Sequence, residues 1–311
     1  MDWKTAVVRL GGDLRQIAAV AGPATAGRYT AATVARLPAV VRQRNLNAVD
    51  GAMANRPWKF RPMPGVEVML PGRMFGGARE MYCRGVYFAR PGYAPAPGDT
   101  VVDLGANHGL FSLVAAAAGA QVLAVEAQRG FGAIIQEHAS LNGCAERIRV
   151  VHTLVGADTG VLASAEGRRT ASHWAGDVPT TGMVELLDSA GFQRASLLKI
   201  DIEGSEFALF QERGWLDRVD RIVMEVHTEF GDPLTLLTFL SAAGFDTVLL
   251  NDTLRPTTSL GRDPSGYIYA RQASQRLPRR RPLTEASAPA TPPASMAGVP
   301  PQTAADERTI Q

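Results

Sequence analysis

The side chains best suited to chemistry fall in a few short stretches. "VVDLGANHG", residues 101–109, places Asp103 two residues before Gly105, with Asn107 and Gly109 following. "QVLAVEA" ends near Glu126, about 20 residues past the glycine turn, where an acid can meet ribose hydroxyls. "LLKIDIEGSE" carries Asp201, Glu203 and Glu206, and "IVMEVHTEF" carries Glu225 and His227. A strand that runs into a glycine turn and then a helix offers backbone N–H groups to a ligand, and glycine permits close approach. An acid beside such a turn can hold an ammonium group. The amides of the turn, from Gly105 through Ala106 and Asn107 to Gly109, can hold a carboxylate. Asp201 and Glu203, two residues apart in an extended segment, point to one side. There they can raise one pKa, orient a hydroxyl or hold a divalent cation. His227 titrates near neutral pH and suits a general base, with Glu225 orienting its ring.

The elements that must position these groups follow from the apolar pattern. From residue 98 onward strands and helices alternate: "TVVDLG", "AQVLAVEA", "RIRVVHTLVG", "SLLKIDIEG" and "DRIVMEVH" read as strands. "GLFSLVAAAAG", "GFGAIIQEHASLNG", "GMVELLDSAG", "SEFALFQERG" and "DPLTLLTFLSAAG" read as helices, the last with Asp232 as N-cap and Pro233 in its first turn. Near-continuous apolar strands separated by helices predict an α/β fold with a doubly wound, mostly parallel sheet. "FDTVLL" and "GYIYAR", with no helix between them, predict an antiparallel edge.

The flanks have a different texture. Residues 1–55 read as a basic helical extension, with Lys4, Arg9, Arg15, Arg28, Arg36, Arg42 and Arg44 facing only Asp2, Asp13 and Asp50. Such helices are expected to pack on their own domain with a solvated basic face, the alternative being an anionic membrane surface. Residues 56–97, punctuated by proline, read as a strand-and-turn segment containing "VEVML" and "EMYCRGVYF". Residues 98–271 form the main domain. Residues 272–311, rich in Pro, Ala, Ser and Thr, are expected to be a disordered tail.

Composition narrows the classes. A formal net charge of +2 does not suit a nucleic-acid binder. Cys83 and Cys144 form no metal spacing and read as free thiols in a reducing compartment. No apolar stretch nears the roughly 18 residues of a membrane span, and the N-terminus is a poor signal peptide, so a cytoplasmic protein is expected. Among the remaining histidines, His108 is expected to cap a helix, His138 to lie on a helix surface, and His152 to reach an adenine pocket. His173 and Trp174 read as an acceptor lid or a packed loop. Lys199, inside a strand, is expected to pair with a carboxylate or snorkel.

Two cofactor classes use a glycine turn after a strand. The dinucleotide fingerprint needs G-x-G-x-x-G, and here the second and third glycines are missing after Gly105; no Walker-type Gly-Lys-Ser/Thr follows either. The acid-x-G-x-x-x-G arrangement fits the zwitterionic end of S-adenosylmethionine. "VVDLGANHGLFSLVAA", "VLAVEAQ", "LLKIDIEGSEFALF" and "RIVMEVH" together resemble the motifs of the FkbM-like family of S-adenosylmethionine-dependent class I methyltransferases, over residues 98–270. One departure is "VPTTGMVELLD", where relatives tend to carry Leu-Asp at Gly182-Met183. The resemblance implies a seven-stranded Rossmann-like sheet and methyl transfer to the oxygen of a sugar, secondary metabolite or other small molecule bearing a hydroxyl. Asp103, Gly105, Ala106, Asn107, Gly109 and Glu126 are the expected cofactor residues, and Asp201, Glu203 and His227 the catalytic ones. No metal is predicted, although Asp201 would be the place for one. The rivals are an NAD-dependent oxidoreductase and a non-catalytic cofactor-binding module. A nucleic-acid substrate is not expected, since "DIEG" stands where base methylases carry Asn/Asp-Pro-Pro-aromatic.

Overall fold

Apolar runs become a seven-stranded sheet, with strands of four to eight residues, because most residues of such a run have a face to bury. Its strands are β3 (Thr100–Leu104), β4 (Gln121–Glu126), β5 (Ile148–His152), β6 (Leu197–Ile200), β7 (Arg221–His227), β8 (Phe245–Leu250) and β9 (Ser265–Gln272). The order across the sheet is β5-β4-β3-β6-β7-β9-β8. The first five are parallel; β9 runs against both β7 and β8 and makes the antiparallel edge. Chain order reverses at β3, which lies between β4 and β6, so the carboxyl ends of these three strands frame a crevice. A separate hairpin pairs β1 (Trp58–Met63) with β2 (Val66–Leu70). The computed structural model describes residues 3–43, 45–156, 178–212, 214–261 and 263–273. His173 and Trp174, and the predicted tail beyond Ala273, lie outside them.

Neighbouring strand residues feed opposite cores. Val101 packs with Phe111, Leu113 and Ile135 on one face, and Val102 with Leu186, Leu198 and Leu236 on the other. Burying each such side chain stabilises by about 1.5–3 kcal/mol, which fixes the register of the acids two residues further on. The first face is covered by α6 (Leu110–Ala117), α7 (Phe131–Leu141) and the hairpin. The second core draws on α8 (Met183–Ala190), α9 (Glu206–Leu209) and α10 (Pro233–Ala242). The predicted cap of α10 is present: Asp232 accepts from Leu234 N at 3.0 Å, with Pro233 in the first turn. The predicted helix "SEFALFQERG" is shorter, with only Glu206–Leu209 helical.

The described residues through Ala273 belong to one compact unit. Within it, α1 (Trp3–Ala21), α2 (Pro23–Ala35), α3 (Leu37–Gln43) and α4 (Asn47–Ala52) precede the hairpin. The strand expected from "EMYCRGVYF" is absent. A short helix α5 (Phe75–Ala78) runs into a π-helical turn over Arg79–Cys83 and then into turns. Its apolar residues are buried without a partner strand: Tyr82 packs beneath α6 and donates to Leu110 O at 2.8 Å. Arg79 fixes the turn. It is buried and forks onto both oxygens of Asp50 at 3.0 Å, and Tyr29 OH donates to the same carboxylate. The N-terminal helices thus brace a segment that reaches the crevice.

Candidate active site

Two adjoining cavities open at the carboxyl ends of the parallel strands. One, about 110 Å³, is lined by Val125, Glu126, Gln128 and Thr153–Val155. The other, about 360 Å³, is walled by Met74, Met81, Tyr87, Lys199, Glu225 and Tyr267. Gly105, Asn107 and Asp201 line both, so the glycine turn and the end of β6 form the ridge between them.

The glycine turn is as tight as its sequence suggested. Gly105 has φ +71°, and a Cβ there would stand 1.8 Å from Asp201 O. The backbone after β6 lies against it, which by itself requires glycine. Gly109 has φ +76°, and a Cβ there would press on the Ile135 side chain. Asn107 takes φ +52°, a conformation asparagine tolerates, and its N–H donates to Glu126 Oε2 at 2.7 Å. Gln128 N–H donates to Glu126 Oε1, also at 2.7 Å. Ala106 N–H donates to Val125 O, so that amide is committed to the fold. Burial raises the Glu126 pKa, against the two amides and Lys199, which lower it. Glu126 still has lone pairs for two hydroxyls, since a carboxylate offers about four acceptor positions.

Asp103 does not reach either cavity. It is fully buried; Oδ2 accepts from Ser112 N–H and Oγ, and Oδ1 lies 3.1 Å from Lys199 Nζ. The expected ammonium-binding acid is therefore the counter-ion of a buried lysine, which is the pairing expected of Lys199. Burial would lower the Lys199 pKa, but Asp103, Asp201 and Glu126 outweigh it and keep the ammonium charged. Lys199 also donates to Gly105 O at 2.7 Å and so holds the turn from below.

Asp201 faces the site as expected. Its Oδ2 accepts from Tyr87 OH at 2.8 Å, and the same hydroxyl lies 3.4 Å from Glu225 Oε2. Burial first and then Asp201 raise the Glu225 pKa. Glu225 therefore faces Asp201 and Tyr87 and does not orient His227.

His227 lines neither cavity. Its Nδ1 lies 3.0 Å from Glu206 Oε1, and Nε2 lies 3.4 Å from Glu203 Oε2. Burial alone would lower its pKa, but Glu206, Glu203 and Asp201 push it up to about 9. Acids on both ring nitrogens favour the protonated ring, which works against its role as the expected general base. Glu203 is exposed, with φ +53°, and touches the smaller cavity. Asp201, Glu203 and His227 each offer one ligand atom, all within 4.8 Å of one another, a donor set suited to a divalent cation.

Three residues depart from their expected places. His138 is buried, its Nδ1 2.9 Å from His108 O, and burial lowers its pKa. His108 lines the larger cavity and packs at a tilt of 34° on Phe131, centroids 4.3 Å apart. His152 does not line the smaller cavity; Thr153, Leu154 and Val155 do. Sequence reasoning missed those three and also Tyr87 and Tyr267. Tyr267 was findable, because an antiparallel β9 pairs it with Glu225. Tyr87 carried no local signal.

Residues 103–247 match the family model of the methyltransferase FkbM domain. No curated protein matches the chain. Among solved structures, the precorrin-6y C5,15-methyltransferase of Geobacter metallireducens GS-15 is 14% identical with TM-score 0.34, covering 57% of this chain and 81% of its own. An rRNA methylase of Streptococcus thermophilus is 13% identical with TM-score 0.36, covering 58% and 89%. A SAM-dependent methyltransferase of Agrobacterium tumefaciens is 14% identical with TM-score 0.39, covering 70% and 71%.

Proposed function

An FkbM methyltransferase domain spans residues 103–247 of this chain, and from that premise we propose that this S-adenosylmethionine-dependent methyltransferase acts on a hydroxyl oxygen of a small molecule, such as a sugar or secondary metabolite. The observation that carries the reading is Asp201, whose carboxylate borders both cavities and lies beside Glu225. S-adenosylmethionine, when bound, supplies an electrophilic methyl group. Glu126 would accept the ribose hydroxyls, and Thr153–Val155 would flank the base. Asp201 receives the acceptor's hydroxyl proton, with Tyr87 OH donating to its carboxylate and holding it in place, and Lys199 Nζ 3.8 Å away. Met74, Met81 and Tyr267 wall the acceptor and exclude water. The free buried thiols Cys83 and Cys144 suit a reducing compartment, and we place the reaction in the cytoplasm.

The test is labelled methyl transfer from S-adenosylmethionine to sugar, lipid-linked and polyketide acceptors. A labelled methyl ether, lost in Asp201→Asn while the donor still binds, is the expected result. Label on carbon or nitrogen, or none on any hydroxyl acceptor, would overturn the assignment.

A further inference from the structure

The first helices carry a surface that the methyl-transfer reading does not use. Among the described residues only five large apolar side chains are exposed, and three of them lie within one short stretch: Val34 at 70%, Leu37 at 53% and Val41 at 68%. Leu37 and Val41, four apart, share one face of α3, and Val34 lies just before them in the last turn of α2. Arg36, at φ −110° and ψ 12°, separates the two helices, and its carbonyl starts α3 by accepting from Ala39 N and Val40 N. No residue of α3 is buried. A seven-residue helix held to the core only by the half-buried Val40 gains little from its own hydrogen bonds in water, so the exposed apolar side chains are suited to being covered.

The charge says by what. From Leu14 to Val49 the sequence has no Asp or Glu, while Arg28, Arg36 and Arg42 are exposed and, among the described residues, unpaired. A protein partner or a second copy of this chain would need an acidic rim to match. An interfacial helix on anionic lipid needs the two features seen here, an apolar stripe and interleaved arginines without acids. No helix among the described residues is long and apolar enough to cross a membrane. We propose that the α2–α3 surface docks the enzyme on an anionic lipid surface, with Val34, Leu37 and Val41 entering the headgroup boundary and Arg28, Arg36 and Arg42 meeting lipid phosphate or carboxylate groups. The inference stands apart from the choice of methyl acceptor.

The experiment is co-sedimentation of the full-length chain with vesicles of phosphatidylcholine alone or mixed with phosphatidylserine. The chain should sediment with the mixed vesicles, not with phosphatidylcholine, and salt should release it. The triple variant Arg28→Gln, Arg36→Gln, Arg42→Gln should bind about 100-fold more weakly, since each basic side chain is worth roughly fivefold near such a surface. The triple variant Val34→Ser, Leu37→Ser, Val41→Ser should lose about tenfold or more. All six positions are exposed, so thermal melts followed by circular dichroism should match the parent. Failure of the parent to sediment with mixed vesicles overturns the proposal. So does sedimentation unchanged in both variants. Binding that needs the arginines but not Val34, Leu37 and Val41 would overturn the entry of the apolar side chains into the headgroup boundary. A dimer in solution that the serine variant dissolves, without vesicle binding, would assign the stripe to a second copy.

Discussion

The turn after β3 and the turn after β6 are built from similar parts and end up with opposite duties. Each follows a central strand, contains a non-glycine residue in the left-handed region, Asn107 at φ +52° and Glu203 at φ +53°, and lies beside acids at the strand ends. In the first turn and its neighbouring strand, acids are bound by donors of the fold: Asp103 by Lys199 and Ser112, Glu126 by two backbone amides. In the second, Asp201 faces another acid, Glu225, across one tyrosine hydroxyl. Carboxylates satisfied by fixed donors make a rigid frame. The carboxylates at the second turn border open cavity, and Glu225, raised by burial and by Asp201, is the group there whose protonation the fold tunes.

The strongest way to break this contrast is to neutralise its reactive side. Asp201→Asn keeps an oxygen for Tyr87 OH but removes the charge. Turnover should fall about 10²–10⁴-fold, the usual cost of removing a general base, with little change in melting temperature. Near-parental turnover in steady-state assays would mean that Asp201 is as structural as Asp103.

The framing side should answer in stability. Lys199→Met leaves Asp103 buried without its cation, and removing one partner of such a pair costs about 3–5 kcal/mol in urea unfolding. Pairing it with Asp103→Asn should recover much of that loss, because no lone charge remains. A single variant as stable as the parent would show that the pair does not hold the turn.

The difference between the turns also explains what could be read from sequence. Periodicity gave the parallel strands, and capping chemistry gave Asp232 and Pro233, because both are local. Glycine at 105 and 109 was legible as tight geometry, although the neighbour demanding Gly105 is Asp201 O, nearly a hundred positions away in the chain. Asp103 was misplaced because spacing cannot show which way a buried acid is satisfied; the lysine that takes it lies on another strand. His227 was read by its usual pKa, and only the fold brings Glu206 against its Nδ1. Tyr87 and the π-helical turn were hidden because an apolar run in a loop buried by tertiary packing has the same composition as a strand.

His227 sharpens the contrast through pH. Its pKa is raised from 6.5 to about 9 in the folded chain. A raised pKa means that the protonated ring stabilises the fold fully below pH about 6.5, and that this is lost as pH rises through about 9. The shift corresponds to at most about 3 kcal/mol. In urea titrations from neutral to alkaline pH, His227→Gln should lack that decline. Because the ring lies off both cavities, the variant should keep most of its turnover near pH 7. A large loss of turnover there would return His227 to the reacting centre.

The smallest expected effect tests whether Glu126 belongs to the frame alone. Its two oxygens already accept from Asn107 and Gln128 amides, so it resembles Asp103 in being satisfied. It differs in lining a cavity and in having lone pairs left over. If ribose hydroxyls take those lone pairs, each charge-assisted bond is worth about 1.5–3 kcal/mol, and Glu126→Ala should weaken S-adenosylmethionine binding by tens-fold in calorimetry. Asn107 is exposed, so water can satisfy its freed amide and the turn should survive. Glu126→Gln separates the two roles, because it keeps the size and one acceptor but removes the charge. Affinity lost in both variants places Glu126 on the cofactor. Affinity kept in both, with lowered stability, makes it a second Asp103, and the whole first turn becomes scaffold.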